Sequence, residues 1–394
     1  MQSRIHSIDI FRGLTMLLMI WVNDFWSLTN VPTWLEHAPG DADAMGFSDI
    51  IFPAFLFIVG LSIPFALRSR LAKGDSKPTI ITHILARSFA LLLMGFLMVN
   101  LESYHDASTL LPRSLWQVAM ALAFILIWNR YPSDPSWKKR QIIFKAAGWL
   151  ILAGLAATFR SNPENGYNWL EPHWWGILGL IGWSYLLCSI LQLVIGENAL
   201  PNAIAWLTFA SFNIAAFAGW LDFLAPVRTY VWIVGDGSLP ALTMAGCFVS
   251  TLYLHFQKTE APLRLLYSLI AIGLACLLAG LLLRPYWGIS KIQATPAWTE
   301  ICTGLSMLAF AFLYWLADLR KKTKWASFLK PAGVATLTCY LLPYLAYPAM
   351  QATGVRLPAF LTDGAVGLLT AMAFSLAIVF ATGLLNRIGV RLKI

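Results

Sequence analysis

Four polar residues stand where two apolar runs meet their connecting segment. Asn23 and Asp24 close the first run, Asp49 opens the second, and His37 lies between them. An imidazole titrates near neutral pH and can take a proton from an attacking amine or hydroxyl. A neighbouring carboxylate can fix its tautomer, and a side-chain amide can steady a developing oxyanion. Asp24 or Asp49 can play the orienting part, and Asn23 the donating part. Joined by one short loop, the four are expected to converge at one mouth of a helix bundle. Asp49 would equally serve as a plain helix cap. A single histidine at that mouth argues against a metal site.

Other ionisable groups fall at the rims of apolar runs, where they are expensive and therefore candidates for function. Glu36 adjoins His37. Lys291 and Glu300 flank the start of a later run, where Glu300 can line the same mouth or pair with Lys291. Gln117, near Arg113, is placed to line a cavity. At the other end of the first run Asp9 and Arg12 are three residues apart and share a helix face. They read either as a topology-fixing pair or, through Arg12, as a contact for an anionic ligand.

These residues must be positioned by membrane-embedded helices. Only 12% of the 394 residues are charged, about half the share in a soluble domain, and 58% are apolar. Mean hydropathy is +0.67. Apolar runs near the span length recur from end to end without strand-like alternation, which excludes an outer-membrane barrel. The expectation is an all-α transmembrane bundle forming a single domain over 1–394, with about twelve spans. The first lies near 10–27, the second near 48–67 and the last near 365–386. A run at 202–220 is weakened by Asn213 and Gly219, and another lies at 332–350.

The net charge of +9 reflects loop asymmetry, not nucleic-acid binding. With the N-terminus inside, 22 of the 28 lysines and arginines fall in cytoplasmic segments, which puts both termini in the cytoplasm. The five cysteines lie inside apolar runs at spacings that suit packing, not a disulfide framework or a metal site. Most of the 18 tryptophans read as interfacial anchors, Trp174-Trp175 among them.

The ordered series Asp9-Ile10-Phe11-Arg12-Gly13, Val22-Asn23, His37-Ala38-Pro39 and Asp49-Ile50-Ile51-Phe52-Pro53 resembles the heparan-α-glucosaminide N-acetyltransferase family. That family has bacterial relatives labelled as N-acetylglucosamine-related membrane proteins. The likeness concentrates in a core over 1–70 that holds a catalytic loop at 27–48. It implies that His37 is tied to acetyl transfer and that Asn23 and Asp49 occupy the family's asparagine and carboxylate positions. It further implies acetyl-CoA as the co-substrate, a saccharide acceptor on the far side of the bilayer and a dimer. A bacterial cytoplasmic membrane would be the location. Inner-end cations Arg12, Arg68 and Arg87 would then meet the phosphates of acetyl-CoA, and Asp24, Glu36, Gln117, Lys291 and Glu300 the acceptor. The stretch between His37 and Asp49 departs from the family pattern by a short insertion, which bears on acceptor identity. A reading of another class is a carrier for N-acetylglucosamine or related amino sugars.

Overall fold

The computed structural model describes residues 5–161, 169–228, 230, 234–354 and 357–394, where the chain is helical with three isolated β-bridges and no strand. Arg4 and Arg356, counted in the charge census, lie outside these residues. In order the helices are α1 (His6–Asn23), α2 (Ser48–Ala72), α3 (Lys77–Asn100), α4 (Arg113–Trp128), α5 (Lys138–Thr158), α6 (Ile177–Ile195) and α7 (Ala199–Phe217). There follow a single turn α8 (Ala225–Arg228), then α9 (Ser238–Lys258), α10 (Pro262–Trp287) and α11 (Pro296–Leu313). Three short pieces, α12 (Lys330–Val334), α13 (Thr336–Leu341) and α14 (Pro343–Ala352), precede α15 (Gly364–Arg387).

Among the described residues nine helices are long and apolar enough to cross a membrane: α2, α3, α5, α6, α7, α9, α10, α11 and α15. The chain is a multi-pass membrane protein. Three other expected spans are helical but differ in kind. Helix α1 has 18 residues but includes Asp9 and Arg12. Helix α4 has 16 residues. The run at 332–350 is cut into α12, α13 and α14; Ala335 leaves the helical region at φ −121°, ψ 50°, and Pro343 follows α13.

Local signals explain the helix ends. Ser76 and Thr295 cap α3 and α11 through their hydroxyls, each with proline in the first turn. Helix α1 has no cap of its own, so the carboxylate of Asp318 accepts the N–H groups of His6 and Ser7 at 3.0 and 3.1 Å. Asp318 sits in a π-helical turn, Tyr314–Leu319, that continues α11.

Helices meet where side chains are small, as expected when lipid tails are as apolar as the helices themselves. At the crossing of α2 and α9, a Cβ on Gly60 would run into the Thr243 carbonyl, and one on Gly246 into the Phe57 carbonyl. Antiparallel pairs α3/α6 and α10/α11 touch through Gly95 against Gly179 and Gly273 against Gly304. Helix α9 is almost wholly enclosed, whereas α5 and α7 present most of their surface outward. The five cysteines are free and buried.

The α2/α9 crossing leaves no room for a side chain, because backbone is the neighbour on both sides. Gly246→Leu should cost more than the roughly 1–3 kcal/mol of ordinary overpacking and leave little monodisperse protein. Gly154→Ala, which meets nothing within 4 Å, should be tolerated. Thermal melting of the two detergent-purified variants checks both.

Candidate active site

The D-x-x-F-P stretch that opens α2 has a physical reading. Asp49 lies in the first helical turn, where its carboxylate takes backbone N–H groups. Pro53, four residues on, has no N–H, so the Asp49 carbonyl loses its normal helical partner. Trp298 on α11 supplies the replacement, its indole Nε1 donating to that carbonyl at 3.2 Å, with Cys302 Sγ at 3.9 Å. Main chain and side chain of one residue thus face different partners.

The Asp49 side chain is 1% exposed and holds the loop in place. Oδ2 accepts the N–H of Ala38 at 3.0 Å and of Gly46 at 2.9 Å. Oδ1 lies 2.6 Å from Nδ1 of His37. A carboxylate can only accept, so Nδ1 carries a proton, and in the neutral ring Nε2 then has the lone pair. Lys291 places Nζ 3.1 Å from Nδ1, 3.4 Å from Nε2 and 3.9 Å from Asp49 Oδ1. Burial pushes the Lys291 ammonium below the ordinary lysine range, against the attraction of Asp49.

Lys291 reaches His37 because two loops are stitched together. Asp43 pairs with Arg284 Nε at 2.9 Å and accepts the Ile289 N–H at 2.7 Å. The Gly40 carbonyl accepts from Ser290 Oγ and Gln293 Nε2, at 3.0 and 2.8 Å. The Ile289 N–H, followed by Arg284, holds the Asp43 carboxyl below the usual carboxylate range. Within the first loop, Phe47 and Ser48 donate to the carbonyls of Trp34 and Leu35. Gly46 is required there, since a Cβ would strike the Glu36 carbonyl.

His37 opens onto a cavity of about 720 Å³ lined by Asn23, Ser48, Trp174, Asp236, Gln293, Lys291 and Trp298 among others. Two buried amides outside the lining hold the segments beside it. Asn100 pins the segment before α6 by bonding both the carbonyl and the N–H of Glu171. Asn213, which weakened the sequence reading of α7, donates to the carbonyls of Asp236 and Ala294 and so joins two cavity-lining loops.

A second cavity, of about 390 Å³, lies further down α1. Arg12, Arg87, Arg130, Arg391 and Lys393 line it. Arg87 stacks over Tyr185 at 4.5 Å, and its buried Nε has no hydrogen-bond partner among the described residues. Arg12 donates to Ser62 Oγ at 2.7 Å. Met19 and Ile177 line both cavities, so the two adjoin.

Asn23, His37 and Asp49 are brought together as their placing in the sequence suggested, and Lys291 joins them from a distant loop. Asp24 does not: it turns to the other side of α1, where Tyr347 Oη donates to its carboxylate at 2.8 Å, and it shares a separate cavity with Gln117. The expectation that Asp24 and Asn23 share one mouth is corrected by helix geometry, because consecutive residues on a helix point about 100° apart. Glu300 lines neither cavity; it packs against Cys276 between α10 and α11 and does not pair with Lys291. Arg68 pairs with Glu197 at 3.5 Å, outside the cationic cavity, and Glu36 lines neither cavity. Missed in the sequence were Asp236, Gln293, Arg130, Arg391 and Lys393, which distant segments deliver. Trp174 lines the His37 cavity, and Trp175 packs on His173 with ring centroids 4.1 Å apart. Their run had suggested interfacial anchors.

The Asp43 clasp predicts a pH dependence. A carboxyl with a depressed folded value contributes stability above its unfolded value and loses it as pH falls through the lower folded one. Hydrogen exchange over 37–46 should therefore stay slow in mild acid and quicken below the ordinary carboxylate range. In Asp43→Ala it should be fast at every pH.

Residues 4–114 match the family model described as heparan-alpha-glucosaminide N-acetyltransferase, catalytic. The human protein named heparan-alpha-glucosaminide N-acetyltransferase is 35% identical over 101 residues, covering 25% of this chain and 14% of its own length. The mouse protein of that name is 33% identical over 102 residues, with the same shares of 25% and 14%. The matched stretch holds α1 to α3, and with them Asn23, His37, Asp49, Arg12 and Arg87. Residues 4–114 thus resemble the catalytic part of the heparan-α-glucosaminide N-acetyltransferases, and the chain spans about 14% of the length of the curated relatives it matches.

Proposed function

We propose that this protein is a transmembrane N-acetyltransferase that moves the acetyl group of acetyl-CoA onto the amine of an amino sugar or glycan. The observation that carries the reading is the pair of adjoining cavities: an imidazole backed by a buried carboxylate faces one, and clustered arginines face the other. Arg12 and Arg87, joined by Arg130, Arg391 and Lys393, would hold the phosphates of the donor. The unpartnered Nε of Arg87 is suited to such an anion. The thioester would pass between Met19 and Ile177 toward His37. The charge census puts the arginine end in the cytoplasm, where acetyl-CoA is made, and the His37 end on the far side of a bacterial cytoplasmic membrane.

In the reaction the acceptor nitrogen attacks the thioester carbonyl while Nε2 of His37 takes its proton. Asp49 holds the resulting imidazolium through Nδ1–H. Asn23 and the Lys291 ammonium face the cavity where the oxyanion forms. As the tetrahedral centre collapses, the C–S bond breaks and the departing sulfur takes the proton back from Nε2. If His37 is acetylated first, the same groups serve both half-reactions, and parallel initial-rate lines would mark that order.

Purified protein supplied with labelled acetyl-CoA and glucosamine should form acetylated sugar without any gradient. Accumulation of sugar in sealed vesicles with no covalent product would establish the carrier instead. His37→Ala should lose about 10²–10⁴ in rate and Asn23→Ala about 10²–10³, with melting temperatures near that of the parent. Arg87→Ala should raise KM for acetyl-CoA and leave KM for the acceptor alone. Wild-type turnover in His37→Ala would overturn the assignment.

Lys291 supplies a pH test. Because burial lowers its value, it loses its proton at a lower pH than a solvated lysine does. Activity should accordingly fall on an alkaline limb below the ordinary lysine range. Lys291→Arg, which stays charged, should move that limb upward, and Lys291→Met should lower kcat across the whole range.

A further inference from the structure

Among the described residues that line the His37 cavity, Lys291 carries the one primary amine. Its Nζ stands 3.4 Å from Nε2 of His37 and 3.1 Å from Nδ1. On the proposed reading an acceptor nitrogen must come within about 3–3.5 Å of the thioester carbonyl carbon and within reach of Nε2. Nζ stands from Nε2 at nearly the distance that an incoming amine would take up. The backbone keeps it there. The Lys291 carbonyl accepts the Ala294 N–H at 3.0 Å, and Ser290 and Gln293 are tied to the Gly40 carbonyl. Asp49 attracts the ammonium from 3.9 Å, yet burial outweighs it and pushes the group below the ordinary lysine range. A desolvated lysine spends more of its time as the free amine, the form that attacks acyl groups.

From this juxtaposition we infer that Lys291 is a self-acetylation site, which the protein modifies through His37 when acetyl-CoA is present and an acceptor is not. The inference rests on the proposed acetyl transfer. In the free-amine form, the Nζ lone pair attacks the thioester carbonyl as Nε2 of His37 takes one of its two protons. The C–S bond breaks with its electron pair on sulfur, and the sulfur takes that proton from Nε2. The products are acetyl-lysine at position 291 and the free thiol of coenzyme A. Acetylation removes the charge, so Asp49 loses its neighbouring cation and the acetyl group fills part of the cavity. The amide nitrogen no longer attacks, so the step stops after one transfer per chain. A bound acceptor amine competes with Nζ for the same thioester. The site therefore couples activity to acceptor supply: without acceptor, the protein closes its own reaction cavity.

The test incubates the full-length protein in detergent with acetyl-CoA alone and follows the peptide that contains residue 291 by mass spectrometry. Lys291 should approach one acetyl group per chain, with one equivalent of thiol released, and added glucosamine should slow the modification. Once the donor is removed, activity toward glucosamine should have fallen in step with occupancy. Lys291→Arg should take no acetyl group and keep its starting activity through the same exposure. His37→Ala should slow acetylation of Lys291 by about 10²–10⁴. Lys393, which lines the arginine cavity and not the His37 cavity, reports purely chemical acetylation, and its labelling should ignore that substitution. Acetylated glucosamine with Lys291 still free after long exposure to donor alone would overturn the inference and leave the activity reading intact. Labelling of Lys291 no faster than that of Lys393, or unchanged in His37→Ala, would mark chemical acetylation and sink the inference too. If Lys291 is acetylated through His37 but glucosamine never is, the site stands and the acceptor assignment falls. If neither amine is acetylated, both readings fall.

Discussion

The buried carboxylate of Asp49 is the interaction on which the candidate site depends. A charge removed from water is costly unless every lone pair is used. Here two backbone N–H groups, an imidazole N–H and a neighbouring ammonium gather on it. The same two oxygens close the loop over 38–46 and set the histidine tautomer, so loop folding and imidazole orientation cannot be separated. Pro53 extends this arrangement by freeing the Asp49 carbonyl for Trp298. The start of α2 is thereby fixed against α11, and α11 follows the loop that carries Lys291.

Charge is distributed along α1 to match. At one end Arg12 joins arginines from α3, the end of α4 and the tail after α15, in a space too apolar elsewhere to tolerate unmatched cations. At the other end Asn23 and Asp24 diverge into two cavities with different linings. One helix therefore borders three compartments. Its packing against α2, α11, α12 and α15, with Arg12 and Asp9 paired at 3.6 Å, explains why it tolerates these two charges where a lipid-facing span would not.

The proposals about donor and acceptor meet at Met19 and Ile177. Both are apolar and both line two cavities, so together they form the boundary between the arginine-lined cavity and the His37 cavity. A thioester is neutral and could cross such a boundary, whereas on the proposed reading the charged phosphates behind it would be held by the arginines. The division of labour follows from the chemistry of the donor molecule: a polyanionic head, a flexible neutral arm and a reactive tip.

Composition and the length of apolar runs were enough to establish a helical membrane protein, because lipid imposes both requirements on any sequence. The meeting of His37 with Asp49 was also legible, since twelve residues and one helix start confine them. Lys291 could be named but not placed, because its position depends on Asp43, Arg284 and Gly40 docking two loops far apart in the chain. The separation of Asp24 from Asn23, the pairing of Arg68 with Glu197 and the gathering of Arg130 and Arg391 beside Arg87 were decided by tertiary structure alone. Rotation about a helix axis and packing between distant helices set them, and local sequence encodes neither.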